Sequence, residues 1–356
     1  MHFGLSPEQQ ELASTVTKVL AKSADSMAVR AATESETGFD ARLWETLCEQ
    51  VGVAALAIPE EYDGFGASFF ETSVVFEELG KALVPTPLLS SVVTAEALLG
   101  SGDAALCAEL LPQLAAGTVA TLAWAGTSGP VDAPIGVQAQ GDTLTGTVEA
   151  VLDGDNAEIL LVAALDGGTP TLFVVDPAAV TIEQVPAVDT TLRFATLTFA
   201  GTPGRRVAGD GAAALARAHR AGTAAVAALQ VGGAQRALDM TVAYSLERVQ
   251  FGRQIGSFQA LKHRMADMLV EVETSRSISW AASYAVATDA DDVAVLTASA
   301  ASACGDAFMH VAGEAVQLHG GIAITWEHDV SWIFKRAQAL NQLFGLPHQH
   351  RALLPL

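Results

Sequence analysis

The sequence predicts an α+β fold that is mainly helical, with a β domain between two helical parts. Three observations support this prediction. Residues 1–116 carry apolar residues at helical spacing, residues 117–206 divide into short β-prone runs, and residues 207–356 return to long alanine-rich helical segments. A chain of 356 residues is long enough for two or three lobes. We therefore expect three domains with these boundaries.

Helix start signals support the N-terminal helical domain. Ser6 is followed by Pro7 and Gln9, the pattern of an N-cap, a proline at the first helical position and a capping-box partner. The amphipathic run that follows extends to about Lys22. Two further segments with helical spacing, FDARLWETLCEQVG and ETSVVFEELGKAL, flank the turn-rich IPEEYDGFG. We expect this part of the chain to be helical throughout.

The middle of the chain has the sequence pattern of a small β domain. The runs EILLVAAL and TLFVVD are apolar and of strand length, and GD and DGG pairs between such runs are hairpin signals. After this region, AGTAAVAALQVGGAQRALDMTVAYSLERV and FQALKHRMADMLVEVETSRSISWAASYAVATD have helical spacing and many small residues. Small residues allow helices to pack closely, so we expect a helical bundle.

The two long helical segments are separated by an unusual stretch, LERVQFGRQIGSFQ at residues 246–259. The preceding helix would continue readily, yet Gly252 and Gly256 follow within a few residues. Glycines allow backbone N–H groups to approach a ligand closely, and the next helix offers its positive N-terminal end to an anion. Helical spacing alone does not explain why the helix breaks here.

Composition excludes several classes of function. A formal charge of −21 would repel phosphate backbones and anionic membranes, so we expect no nucleic-acid or membrane partner. The sequence has no uninterrupted run of eighteen apolar residues and no signal-peptide pattern. Cys48, Cys107 and Cys304 are odd in number and far apart, which favours a reducing cytoplasm over a disulfide framework. His319 and His328 lack metal-site spacing with acidic neighbours, so we expect no metal site.

Two motifs late in the chain are more specific than composition. The segment AQRALDMTVAYSLERVQFGRQIGSFQALKHRMADM and the later AVQLHGGIAITWEHDVSWIFKRA together resemble the acyl-CoA dehydrogenase family. The resemblance covers essentially the whole chain, is strong from Thr223 to Arg336 and is weak in the β domain. It implies a helical N-terminal domain, a middle antiparallel β domain and a C-terminal four-helix bundle.

The resemblance also implies an FAD site shared across a subunit interface. Arg248 would contact the pyrophosphate, Phe251 would pack on the carrier portion of the flavin, and Gln317 with Gly321 would hold the adenine and ribose side. Simpler roles stay open: an ion pair for Arg248, a core position for Phe251, and a glycine-capped helix end for QLHGG. Glu247 is expected to be structural. The implied FAD-binding set is Arg248, Phe251, Ile255, Phe258, Gln259, Gln317, Gly320 and Gly321.

The chain departs from the family at the catalytic base. These enzymes remove an α-proton while a hydride leaves the β-carbon, which requires a carboxylate beside the flavin and the thioester. Counting forward from QLHGG, Phe344 occupies the usual glutamate position. Counting back from Arg248, Gly222 occupies the position that other branches use. We therefore expect no catalytic residue in this chain.

The β domain departs from the family as well. Its usual T-E-P-x-A-G-S-D and N-G-x-K-x-W-I-T-N motifs are replaced by LAWAGTSGPVD and TGTVEAVLDG. Ala150 and Leu152 stand where the aromatic and hydroxyl residues around the flavin ring are expected. The chain thus keeps the half of an FAD site that it would lend to another subunit. It lacks the residues that would form a pocket for the flavin ring in its own β domain.

These features predict a partner subunit in a heteromeric acyl-CoA dehydrogenase, resembling paired actinobacterial enzymes that act on steroid side-chain CoA thioesters. A homologous catalytic subunit would join it in an assembly of two plus two, with an electron-transferring flavoprotein as acceptor. One alternative is a self-sufficient flavin dehydrogenase whose base is Glu314, Glu327 or Asp329. Another is a flavin-free scaffold that stabilises a partner.

Overall fold

The computed structural model describes residues 4–130 and 132–355. Residues 1–3 and 356, which the predicted first and last domains include, and Val131 of the LAWAGTSGPVD segment lie outside the described residues. The order of elements is helices, then a β sheet, then helices, as predicted. The division at 116/117 and 206/207 remains our interpretation of these elements. In the described part of the chain, no helix combines the length and apolarity that crossing a bilayer requires.

The N-terminal part contains six α-helices between Pro7 and Ala115, and the predicted turn-rich segment separates the third from the fourth. The predicted capping box is present: the Ser6 hydroxyl accepts from Gln9 N at 3.2 Å, and Gln9 Oε1 accepts from Ser6 N at 2.8 Å. A π-helical turn, Leu47–Val51, continues the third helix. The helices are α1 (Pro7–Ser23), α2 (Ser26–Thr33), α3 (Ala41–Thr46), α4 (Phe69–Ala82), α5 (Leu88–Ser101) and α6 (Ala104–Ala115).

The middle part is a sheet whose strands close into a barrel. The strands are β1 (Ala120–Ala123), β2 (Val137–Gln140), β3 (Thr143–Leu152), β4 (Ile159–Asp166), β5 (Thr169–Val175), β6 (Thr181–Val185) and β7 (Phe194–Arg206). Strands β4, β2, β3, β7 and β5 pair in a closed circuit, with β1 added to β4 and β6 added to β7. Closure leaves few unpaired strand edges.

The sheet is mainly but not wholly antiparallel. Five of its pairings are antiparallel, as expected, whereas β1 with β4 and β2 with β4 run parallel. The sequence of strand β4 is apolar because both of its faces are buried. Leu160 and Val162 face the barrel core, while Leu161 and Ala163 face the core shared with the helices.

The C-terminal part is a bundle of long helices. The helices are α7 (Gly211–Glu247), α8 (Gln259–Thr288), α9 (Val293–His319), α10 (Asp329–Leu340) and α11 (Pro347–Ala352). Between α7 and α8 the chain forms a short hairpin of β8 (Val249–Gln250) and β9 (Arg253–Gln254). The predicted break in the helix is therefore a two-stranded turn.

Glycines set the contact between α4 and α7. A Cβ atom on Gly232 would lie 1.9 Å from the carbonyl oxygen of Glu77, and one on Gly80 would lie 2.2 Å from that of Leu229. These distances exclude any side chain, so the two helix backbones meet directly. This contact joins the N-terminal helices to the bundle.

Candidate functional site

The hairpin after α7 presents the first group of predicted site residues. Helix α7 ends at Glu247, and the N–H of Arg248 still bonds to Tyr244 O at 2.9 Å. The turn residues Phe251 and Gly252 have φ values of 53° and 76°, the left-handed pair that a tight two-residue hairpin requires. The N–H of Ile255 closes the hairpin on the carbonyl of Arg248 at 2.9 Å.

The hairpin exposes an aromatic ring and a cation. The side chain of Phe251 is 92% exposed, which excludes the alternative that it is a core residue of this chain. Among the described residues, Arg248 makes no ion pair, so its guanidinium is available to a ligand or a partner. Phe258 packs edge-to-face on Phe251 with centroids 6.2 Å apart, and the Arg253 guanidinium lies 4.0 Å from the Phe258 ring centroid. Gln259 is the first residue of α8, and its Nε2 lies 2.8 Å from His263 Nε2.

The end of α9 presents the second group. Gln317 is exposed in the last turn of the helix, and Gly320 ends it with φ 65° and ψ −144°, which side chains rarely tolerate. A Cβ atom on Gly320 or Gly321 would meet no atom within 4 Å. The glycines are thus open to the outside rather than packed against this chain.

The two groups lie at the same end of the bundle. The ring of Tyr244, near the end of α7, stacks on His319 at the end of α9, with centroids 4.5 Å apart. The exposed cation, aromatic ring and open glycines fit the pyrophosphate, carrier and adenosine portions of FAD. The structure places both groups at one end of the bundle, linked by the contact of Tyr244 with His319, and their assignment to an FAD half-site stays a prediction.

The two positions that would carry a catalytic glutamate are in direct contact. A Cβ atom on Gly222 would lie 2.3 Å from Cζ of Phe344. Phe344 is 1% exposed and has a left-handed φ of 56°, and its N–H bonds to Thr127 O at 3.2 Å. No residue from Leu343 to Leu346 is a carboxylate. The aromatic ring fills the space that a side chain at position 222 would need.

A buried aromatic and histidine cluster surrounds Phe344. The ring of His219 lies 5.7 Å from that of Phe344 and 6.0 Å from that of Trp124. Burial, with His350 as a second cause, lowers the pKa of His219 to about 4, so this imidazole is neutral at pH 7. His350 Nε2 donates to Phe344 O at 3.0 Å. The sequence analysis missed this cluster, although His219 precedes Gly222 by three residues on the same helix face.

A cavity of about 820 Å³ opens between the β barrel and α10. Ala150 and Glu149 line it from β3, Lys335 and Gln338 line it from α10, and Gln342 lines it from the turn after α10. Ala150 sits at a β-bulge with φ 52°. The side chain of Leu152 packs instead in the helical core, away from this cavity. At position 150 the cavity wall therefore lacks an aromatic residue.

The three carboxylates proposed as alternative bases lie elsewhere. Glu314 bonds to Arg264, which lowers the pKa of that carboxyl below its usual range. Asp329 pairs with Arg30 at 2.9 Å, and Glu327 is exposed. None of the three is among the described residues that line the 820 Å³ cavity.

A different carboxyl group, Asp153, is buried where the three parts of the chain meet. Its Oδ2 lies 2.7 Å from the Ser90 hydroxyl of α5, and the same small cleft is lined by Leu229 of α7 and Arg336 of α10. Burial raises the pKa of Asp153 to about 7. The sequence gave no signal for this residue beyond a DG pair that indicates a turn.

Comparison with known proteins agrees with this architecture. The N-terminal domain of acyl-CoA dehydrogenases matches residues 6–118, and their C-terminal domain matches residues 209–352. Acyl-CoA dehydrogenase IpdE2 of Mycolicibacterium smegmatis is 44% identical over 348 residues, which cover 97% of each chain. IpdE2 of Mycobacterium tuberculosis is 41% identical, with 96% of this chain and 94% of that protein covered.

Solved structures are also similar to this chain over nearly its whole length. The ChsE4–ChsE5 complex from Mycobacterium tuberculosis superposes with a TM-score of 0.89 at 27% identity and covers 100% of both chains. A variant of the Tcur3481–Tcur3483 steroid ACAD superposes with a TM-score of 0.87 at 29% identity, covering 98% of this chain and 96% of that one. The chain belongs to the acyl-CoA dehydrogenase family, FAD-dependent oxidoreductases that act on the CH–CH group of acyl-CoA thioesters.

Proposed function

We propose that this chain is the partner subunit without a base in a heteromeric acyl-CoA dehydrogenase. It lends the carrier half of an FAD site to a homologous catalytic subunit, which supplies the glutamate and the pocket for the flavin ring. FAD then numbers one per pair of chains, in an assembly of two plus two. FAD supplies the hydride acceptor for α,β-desaturation of the acyl-CoA.

The contact between Phe344 and Gly222 carries this proposal. Each residue stands where a glutamate is expected, and the ring of Phe344 leaves no room for a side chain at position 222. A phenyl ring and a glycine cannot accept a proton, whereas the half-site around Arg248 retains every expected residue type. Retention of a half-site in a subunit without a base is explained by a role toward another subunit.

The surface around the half-site supports a protein partner. Among the described residues, six exposed apolar side chains lie in the last turn of α7, on the hairpin and on the turn after α9. An apolar surface of this kind marks an interaction site on a protein that otherwise carries a formal charge of −21. A homologous subunit offers the matching surface, because an FAD site divided between chains is completed only at their interface. The side chains are Leu246, Val249, Phe251, Ile322, Ile324 and Trp326.

In this half-site each residue has a separate binding task. Arg248 provides a cation for the pyrophosphate, and Phe251 provides an apolar face for the carrier chain. Gly320 and Gly321 allow the adenosine to approach the backbone beside Gln317. Ile255, Phe258 and Gln259 shape the base of the hairpin and the start of α8.

The similar structures support a steroid substrate class. Tcur3481–Tcur3483 is a steroid ACAD, and ChsE4–ChsE5 is a complex from Mycobacterium tuberculosis. We infer that the substrate is a steroid-derived acyl-CoA. We take the electron acceptor to be an electron-transferring flavoprotein, as the family resemblance implies, and the location to be the cytoplasm.

A self-sufficient dehydrogenase is the second candidate, and one observation favours it. The 820 Å³ cavity beside Ala150 lies where the family motifs would place a flavin ring, despite the lost aromatic residue. In that case the chain alone would bind a full complement of FAD. Its base would then be a residue other than Glu314, Glu327 and Asp329, which lie outside the cavity.

The effect of Arg248→Ala on flavin retention tests the proposed half-site. In the complex purified with the catalytic subunit, we expect the Kd for FAD to rise at least about tenfold, because a charge-assisted contact is lost. Arg205→Ala is the matched control, since Arg205 is an exposed arginine of β7 that pairs with Glu109 of α6. If Arg248→Ala lowers the Tm and leaves the FAD content per folded complex unchanged, Arg248 is structural and the half-site is wrongly assigned.

A further inference from the structure

Three rings connect the two arms of the half-site. Tyr244 and His319 stack with an interplanar angle of 22°, and His328 lies against His319 with centroids 5.0 Å apart. One arm is the hairpin carrying Arg248, and the other is the helix end carrying Gln317 and Gly321. We refer to Tyr244, His319 and His328 as the ring stack.

The ring stack is attached rigidly to both arms. The carbonyl of Tyr244 accepts the N–H of Arg248 at 2.9 Å, so the ring lies one turn before that arginine. His319 Nδ1 donates to Ala315 O at 2.8 Å, which fixes its ring just before Gly320. Offset stacking is sensitive to ring position, so the stack sets the spacing between the arms.

The turn that begins at Gly320 and Gly321, called the glycine turn below, is also anchored where it meets α10. His328 Nδ1 accepts from Val330 N at 3.3 Å and caps α10. Arg30 of α2 donates to Trp326 O at 2.5 Å and to Asp329 Oδ1 at 2.9 Å. The open backbone around Gly320 and Gly321 therefore lies between two fixed points, the ring stack and the start of α10.

We propose that Tyr244 and His319 are positioning residues for FAD: their stacking holds the cation of one arm and the glycine turn of the other at the spacing the cofactor requires. This inference rests on the proposed function, because it concerns the same half-site. Neither ring needs to touch the cofactor. Loss of the stack lets the arms separate, and the complex then loses FAD affinity before it loses its fold.

FAD binding to variants of the assembled complex tests this proposal. Tyr244→Leu and His319→Leu should each raise the Kd for FAD by about twofold to tenfold, the range that a lost aromatic pair gives. Tyr244→Phe keeps the ring and should retain the native Kd. Tyr284→Leu is the control, because Tyr284 is exposed on α8 about 38 Å along the helix from the hairpin. Melting temperatures measured without added FAD report stability separately.

The Arg248→Ala variant distinguishes the possible failures. If it weakens FAD binding while the two leucine variants lower only the Tm, the stack is ordinary packing and this inference is overturned, but the half-site stands. If Arg248→Ala retains native FAD affinity, the half-site itself is wrong and the inference fails with it. Native affinity in Tyr244→Phe together with weakened binding in Tyr244→Leu supports the positioning role.

Discussion

At the scale of single residues, Asp153 has an unusual hydrogen-bond arrangement. The Ser90 hydroxyl has one proton but lies near two acceptors, Pro87 O at 3.0 Å and Asp153 Oδ2 at 2.7 Å. Both bonds form together only when Asp153 is protonated and donates to Ser90. A pKa of about 7 makes the protonated form common at neutral pH, and the bond then joins α5 to the turn after β3.

The pKa of Asp153 predicts a pH dependence of stability. Because folding raises this pKa from 3.8 to about 7, its stabilising contribution is full below pH 3.8 and is lost as the pH rises to about 7. Asp153→Asn mimics the protonated form at every pH. We expect the variant to exceed the native chain in stability by on the order of 2 kcal/mol at about pH 8, and by much less at about pH 4. Denaturant unfolding across this range measures the difference, and parallel pH profiles would exclude the proposed protonation.

The contact between Gly222 and Phe344 gives a second residue-scale prediction. Gly222→Ala places a methyl group against the phenyl ring, so we expect a loss of about 1–3 kcal/mol from overpacking. Adding Phe344→Leu makes room for the methyl group and should recover part of that loss. A double-mutant cycle measures the coupling between the two positions. Additive effects would show that the two side-chain positions do not meet.

Sequence motifs predicted the site residues but not their surroundings. The two expected base positions follow from counting from QLHGG and from Arg248, because those positions depend on spacing along the chain. The packing of His219, Trp124 and His350 around Phe344 was not foreseen, because these side chains come from separate elements. Burial of Asp153 likewise depends on tertiary contacts that no local pattern encodes.

At the scale of elements, the crossing of α4 and α7 depends on glycines. Gly232→Ala should cost about 1–3 kcal/mol, because its Cβ would meet the Glu77 carbonyl at 1.9 Å. Gly313→Ala in α9 is the matched control, since its Cβ would meet no atom within 4 Å. That substitution should stabilise the chain by about 0.5–1 kcal/mol through helix propensity alone. Denaturant midpoints compare the two variants, and equal effects would argue against a close crossing.

The order and type of the elements followed from local patterns, whereas strand pairing did not. Helical periodicity, the Ser6 capping box and the glycines after α7 each predicted a feature that is present. The parallel pairings of β4 with β1 and β2, and the closure of the barrel, join strands that are distant in sequence. Hairpin signals describe neighbouring strands only, so they favoured a purely antiparallel arrangement.

At the scale of the whole molecule, one buried ion pair links the β domain to the bundle. Arg336 Nε donates to Asp189 Oδ2 at 2.8 Å, and the two side chains are 4% and 2% exposed. The hydroxyl and carbonyl of Thr191 also accept from this guanidinium. The pair forms part of the contact between the three parts of the chain.

Removal of one member of the Arg336–Asp189 pair should therefore lower the free energy of unfolding. We expect Arg336→Met to lower the free energy of unfolding by about 3–5 kcal/mol, because Asp189 is left as an uncompensated buried charge. Arg205→Ala breaks an ion pair whose side chains are about half exposed and should cost less than about 1 kcal/mol. Urea unfolding of both variants tests the contrast. A cost for Arg336→Met no larger than that for Arg205→Ala would show that the pair is not needed to join the domains.

The division of one FAD site between two different chains is the central claim. Its most direct test is the amount of bound FAD per polypeptide, determined by visible absorbance, for the chain purified alone and for the complex with its catalytic subunit. We expect little FAD on the isolated chain and about one FAD per two chains in the complex. A full FAD on every isolated chain would contradict the shared site and establish that the cavity beside Ala150 binds flavin unaided.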